Sequence, residues 1–139
     1  LPQSTDVLID ATDQVKAKVA MAAWALTHHK PMIMVGAAGG KKHAQQVELA
    51  DLAHTSHDPL LAHVRQQLRK AGIAPSHPSP MGIHAVFSKE PITHPSTVTG
   101  DEGAQCAPDL HCHGYGSLVT VTATFGQCAA GWALNQLST

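Results

Sequence analysis

Two acids close the first apolar run of this chain. Val7-Leu8-Ile9-Asp10-Ala11-Thr12-Asp13 reads as a buried-type strand that delivers Asp10 and Asp13 at its carboxyl end, with a helical pattern directly behind it. Ligands of open α/β sheets gather beyond the carboxyl ends of the strands, so this pair is the first place to look for chemistry. Asp13 also has a plainer reading, as the N-cap of the following helix, and capping and ligand binding do not exclude each other. Cys106, His111, Cys112 and His113 form the densest cluster of soft ligands, with thiolate and imidazole groups suited to zinc. Adjacent His111-Cys112-His113 cannot easily converge on one tetrahedral ion, and no second cysteine pair stands nearby, so zinc is disfavoured.

Gly36-Ala37-Ala38-Gly39-Gly40-Lys41-Lys42 superficially looks like a phosphate loop. It lacks the G-x-x-x-x-G-K-[ST] spacing and runs toward strand-like residues rather than a helix, so a P-loop is rejected. A turn needing positive φ, or close backbone approach beside a nucleotide pocket, explains the glycines better. Lys41, Lys42 and His43, or Arg65, Arg69 and Lys70 on one helix face, offer local charge for RNA phosphate, although a solvated face accounts for them more simply. Trp24 and Trp132 fall on apolar helix faces as core or interface anchors, and the remaining histidines read as scattered surface or core groups.

The elements that must carry these residues follow an α/β order. Val7 to Ile9 is a strand and Gln14 to His28 an alanine-rich helix. Pro31 to Val35 is a second buried strand, and Gln46 to Leu49 a further one. Strand, helix, strand implies a parallel crossover. Asp58-Pro59 opens the clearest helix with an N-cap and a first-turn proline. Leu60, Leu61, Val64 and Leu68 line one face of it, and Gly72 stops it. Ile83 to Ser88 is a short strand, and Lys89 to Tyr115 is a long stretch broken by prolines and glycines. The segment from Leu118 to Phe125 fits both templates: it alternates like a strand, yet Leu118, Val121, Phe125, Cys128, Ala129 and Trp132 keep helical spacing.

A length of 139 residues suits one domain or part of one. Only 14% of residues are charged and the formal net charge is −1, so no global basic field attracts nucleic acid, and the uncharged surface suggests a buried interface with another chain. Three cysteines give no disulfide framework, the start has no signal-peptide pattern, and no run reaches the roughly 18 apolar residues of a membrane span. A cytoplasmic protein is expected.

Six motifs then occur in a fixed order: Asp10-Ala11-Thr12-Asp13, the Val35 to Gly40 loop, Val47-Glu48-Leu49-Ala50-Asp51-Leu52-Ala53, Asp58-Pro59-Leu60, Val86-Phe87-Ser88-Lys89-Glu90 and Val121-Thr122-Ala123-Thr124-Phe125-Gly126. Together they resemble the carboxyl-terminal half of the tRNA threonylcarbamoyladenosine dehydratases, a branch of the ThiF/MoeB/HesA ubiquitin-activating-like superfamily. The likeness covers nearly the whole chain. It implies an α/β fold made of the later strands and helices of a Rossmann-like ThiF/MoeB sheet, with a helical insertion and a C-terminal helix, and it favours helix over residues 117 to 136.

The resemblance further implies ATP and magnesium in the complete enzyme, leaves room for a monovalent cation, and does not call for zinc. Asp13 would hold the magnesium, which prefers one or two hard carboxylates plus phosphates. Asp10 would orient neighbouring backbone, Lys18 could face phosphate, and Gly36 would lie beside the nucleotide. Cys112 matches a cysteine that precedes the last helix of the family and would act near the adenylate or in sulfur handling. The implied partners are tRNA, a second copy in a homodimer and a sulfur-transfer protein, with no membrane.

Only six residues precede the first strand, so the expectation is that residues 1–139 form a single partial domain without the family's glycine-rich ATP motif, inactive alone. Two alternatives stand beside this reading. One is an adenylyltransferase for a ubiquitin-like sulfur carrier, and the other is a non-enzymatic dimerisation or RNA-docking module.

Overall fold

The computed structural model describes residues 1–91 and 116–138. Cys106, His111, Cys112 and His113 lie outside them, so the zinc question and the role expected of Cys112 do too. In chain order the elements are β1 (Leu8–Asp10), α1 (Val15–Thr27), β2 (Met32–Val35), a 3-10 turn at Ala44–Gln46, β3 (Val47–Asp51), a second such turn at Leu52–His54, α2 (Pro59–Lys70), β4 (His84–Ser88) and α3 (Val119–Leu137).

The strands form one sheet in the order β1-β2-β4-β3. β1, β2 and β4 are parallel, as the expected crossover requires, and Ile9 lies opposite Ile33. β3 runs antiparallel to β4, with Leu49 opposite Val86. The arrangement is mixed α/β, with helices on both faces of the sheet. The local pattern at Gln46 to Leu49 marked a strand without its direction, because direction depends on where the chain must go next.

Side chains alternate across the sheet and fill two cores. Met32, Met34, Ala85 and Phe87 meet Ala22 and Ala25 of α1 and Leu61, Val64 and Leu68 of α2 on one face. Ile33 and Val86 meet Val121, Phe125 and Ala129 of α3 on the other. α3 crosses that second face against all four strands.

Helical spacing wins over alternation at 118–125 because Val121, Phe125, Ala129 and Ala133 are the buried residues. The threonines between them sit on the outside. The Thr124 hydroxyl donates to the Thr120 carbonyl at 2.7 Å, which accommodates a β-branched polar residue inside a helix.

Candidate functional site

The carboxyl end of β1 is built around a buried ion pair. Lys18, in the second turn of α1, is fully buried and donates to Asp10 Oδ2 at 3.2 Å and to the Val35 carbonyl at 2.7 Å. Asp10 Oδ1 accepts from the Thr12 amide at 2.9 Å and the Thr12 hydroxyl at 2.8 Å. Burial holds the Lys18 pKa below the usual lysine value, opposed first by the charge and hydrogen bond of Asp10 and then by Asp58 and Asp13. The ammonium thus faces Asp10 and Val35 rather than solvent, and joins the ends of β1, β2 and α1.

Asp13 sits beside this pair and is exposed. The N-cap position of α1 belongs to Gln14, whose side chain makes no capping bond. The capping role offered for Asp13 therefore falls, and its exposed carboxylate makes no hydrogen bond to a described residue.

The loop after β2 is held differently. Gly36 donates to the Val86 carbonyl at 2.9 Å, continuing the ladder past the end of β2. A Cβ on Gly36 would lie 2.2 Å from Asp58 Oδ2, so glycine is required there by close approach. Positive φ is met instead at Gly40, at 73°. Asp58 caps α2 by accepting from Leu61 N at 2.9 Å through Oδ1, and its Oδ2 accepts from Ala37 N at 2.8 Å. Burial raises the Asp58 pKa, against the amides of Leu61 and Ala37 and the charges of Lys41 and Lys18.

Lys41 departs from the expectation of a basic surface patch. It is 2% exposed, and its ammonium donates to the carbonyls of His57 at 2.8 Å, Ser88 at 3.4 Å and Glu90. Glu90 Oε2 in turn accepts from the amides of Lys42 at 2.7 Å and His43 at 2.9 Å. Arg65 is likewise spent, donating to the carbonyl of Thr55 at 3.1 Å and to its hydroxyl. Burial disfavours the ionised form of Glu90, yet those amides and the charges of His43 and Lys41 together hold its pKa below the ordinary carboxylate value.

Sequence reasoning found Asp58 as a cap but not its second bond, which spans 21 residues, and missed the pairing of Lys41 with Glu90 across 49. No local pattern reports such distances.

Among the described residues no three His, Cys, Asp or Glu side chains come close enough to form a metal cage. One exposed carboxylate is nevertheless what magnesium shared with phosphates needs. A cavity of about 300 Å³ lined by Lys30, Met32, His84 and Trp132 lies at the opposite, amino end of the strands and is separate from these acids.

No protein-family profile matches the chain. It is 36% identical over 139 residues to the tRNA threonylcarbamoyladenosine dehydratase of Haemophilus influenzae, covering 99% of this chain and 52% of that protein. It is 33% identical over 141 residues to the enzyme of the same name from Escherichia coli, covering 94% and 51%. The solved E. coli structure in complex with ATP superposes with a TM-score of 0.79 at 31% identity, over 97% of this chain and 49% of that one. The complex with AMP gives 0.78. The chain is homologous to the carboxyl-terminal half of these tRNA threonylcarbamoyladenosine dehydratases. It spans about half the length of the curated relatives it matches, corresponding to the carboxyl-terminal half. The dehydratase likeness extends through both cores and the strand-end acids, since it covers nearly all of the chain.

Proposed function

We propose that this chain contributes the carboxyl-terminal part of an ATP-dependent enzyme that adenylates and cyclises threonylcarbamoyladenosine in tRNA. The observation that carries the reading is the start of α1, where Asp13 is exposed, uncapped and held beside the buried Asp10–Lys18 pair at the end of a parallel strand. The related E. coli protein has been solved with ATP and with AMP, and the same nucleotide is proposed here. Asp13 would hold magnesium together with the nucleotide phosphates, and the ion would offset charge at the phosphorus under attack.

The other roles follow from placement. Lys18 fixes Asp10 and the end of β2, and so acts on phosphate through position rather than contact. Gly36 lets the β2 loop approach Asp58 closely, whereas the role near the adenylate proposed for Cys112 rests on the family resemblance alone. The proposed partners are tRNA as substrate and a second copy in a homodimer.

Among the described residues the outer edge of β1 is unpaired. A further parallel strand added there would bring its following turn against Asp13. The sequence has no G-x-G-x-x-G turn of its own, which supports a half-site.

The test is reconstitution. The 139-residue chain alone should turn over no ATP, and addition of the amino-terminal half of a family relative should give magnesium-dependent ATP cleavage that requires threonylcarbamoyladenosine-modified tRNA. Asp13→Asn should abolish that turnover while shifting stability by less than about 0.5 kcal/mol, as expected of an exposed site. Turnover by the chain alone would refute the half-site. Pyrophosphate exchange driven by the C-terminus of a carrier protein, instead of by tRNA, would favour the sulfur-carrier alternative.

A further inference from the structure

Chemistry-bearing side chains gather a second time, in the cavity at the amino end of the strands. Leu26 and Met32 give it apolar surface. His84 and Trp132 give it an aromatic wall, their ring centroids 4.8 Å apart and their planes tilted by 40°. His29 and Lys30, just beyond the C-cap of α1, complete the lining, and no Asp or Glu takes part in it.

The charge of Lys30 is the informative part. Lys18 and Lys41, the two fully buried lysines, have their ammonium groups matched by a carboxylate or by carbonyls. Lys30 is half-buried, and its ammonium makes no ion pair or hydrogen bond among the described residues. The nearby end of α1 is closed as well. The Ala25 carbonyl accepts from Lys30 N at 2.9 Å and the Leu26 carbonyl from His29 N at 3.4 Å, so these acceptors are not open to a cation. His29 holds φ at 52°, in the left-handed region where glycine usually ends a helix, and so keeps an imidazole at the cavity where a bare turn would do.

We propose that this cavity binds one nucleotide unit, with the base against the Trp132–His84 wall and the phosphate at Lys30 and His29. An aromatic wall accepts the π-face of any base, and an unmatched ammonium beside it selects a ring that carries an anion. A volume of about 300 Å³ lies at the lower limit of ligand pockets, which admits one such unit and no more. RNA is read chiefly through unstacked bases laid on aromatic side chains, so a nucleotide of the RNA substrate distant from the reacting adenosine is the expected source. The inference rests on the tRNA reading for that source alone.

The 139-residue chain with Trp24→Phe retains Trp132 as its single indole, whose fluorescence reports on the cavity. AMP should quench it saturably. Adenosine should bind about two- to fivefold more weakly, the share expected of one partly exposed charge contact. Lys30→Gln should bring AMP down to the affinity of adenosine while leaving adenosine unchanged. In the otherwise unaltered chain, Trp132→Leu, confirmed folded by circular dichroism, should lower AMP affinity about tenfold in equilibrium dialysis. Asp13→Asn should leave the quenching as it is, which separates this cavity from the nucleotide site at the strand end.

Absence of saturable quenching by AMP overturns the proposal, as does a Lys30→Gln chain that still prefers AMP to adenosine. Loss of the quenching in Asp13→Asn overturns it too, because the nucleotide then lies at the other end of the sheet. A single-stranded RNA oligomer that quenches more tightly than AMP supports RNA as the source, whereas quenching by AMP and not by RNA assigns the cavity to the free nucleotide. Should tRNA fail to support turnover in the reconstituted enzyme, the dehydratase reading falls and AMP binding in this cavity stands.

Discussion

Helices α1 and α2 both begin at the carboxyl end of the sheet, and their first turns are finished in opposite ways. α2 is sealed: Asp58 caps it, Pro59 occupies the first turn where no amide is missed, and the same carboxylate reaches across to Ala37. α1 has no side-chain cap at all. It is anchored one turn further in, by Lys18 to Asp10 and Val35, so the helix is positioned without using its first amides. The unspent amides carry partial positive charge, and Asp13 stands free beside them, an arrangement suited to a phosphate with its cation. A closed helix start is structural, and an anchored but open one is available to a ligand.

The contrast breaks most visibly at the α1 anchor. Lys18→Met leaves the Asp10 carboxylate buried without its counter-charge and should cost about 3–5 kcal/mol in denaturant unfolding. Adding Asp10→Leu should recover most of the loss. A cost under about 1 kcal/mol, within the range of an exposed pair, would show that α1 is held by something else.

The α2 seal should come next in size. Asp58→Ala removes a cap worth about 1 kcal/mol and strands the Ala37 amide, for a total of about 2–3 kcal/mol measured the same way. Asp58 also has a pH signature. Its folded pKa is raised above the ordinary 3.8 by burial, so the folded state keeps the proton longer than the unfolded state. The stability it contributes is full below that ordinary value and declines as pH rises through the folded pKa. The stability of the parent minus that of Asp58→Asn should therefore fall across this interval, and a rise would contradict the assignment.

The smallest effect sharpens the comparison. Gln14→Ser supplies the cap α1 lacks and should stabilise the chain by about 0.5–1 kcal/mol in thermal or chemical unfolding. In the reconstituted enzyme it should weaken ATP binding, because the serine hydroxyl would compete for the amides. Unchanged affinity would remove the helix start from the nucleotide site.

Much of this contrast was legible in the residues. Asp58-Pro59 announces a cap because the requirement is local, and Asp10 through Asp13 marks a strand end for the same reason. Gly36 was recognised as special, with a positive-φ turn or close approach beside the nucleotide as its reasons, and the close approach found is to the side chain of Asp58. Lys41 was read as surface charge, since nothing near it in sequence reveals that carbonyls from His57, Ser88 and Glu90 converge on its ammonium. The antiparallel direction of β3 escaped on the same ground. α3 was decided by family resemblance, because three threonines at alternate positions imitate a strand until the packing of Val121, Phe125 and Ala129 is seen.

The brevity of β1 has one more consequence. Its outer rim spans three residues, Leu8–Asp10, and so presents few free backbone groups. A long bare rim would be a template on which identical chains could add strand upon strand into insoluble sheets, whereas one this short nucleates such growth poorly. At the far rim, exposed Glu48 on β3 pairs with Lys89 at 2.8 Å and sets charge against the same hazard. The sheet can stay receptive to one correct neighbour while remaining a poor seed for fibres.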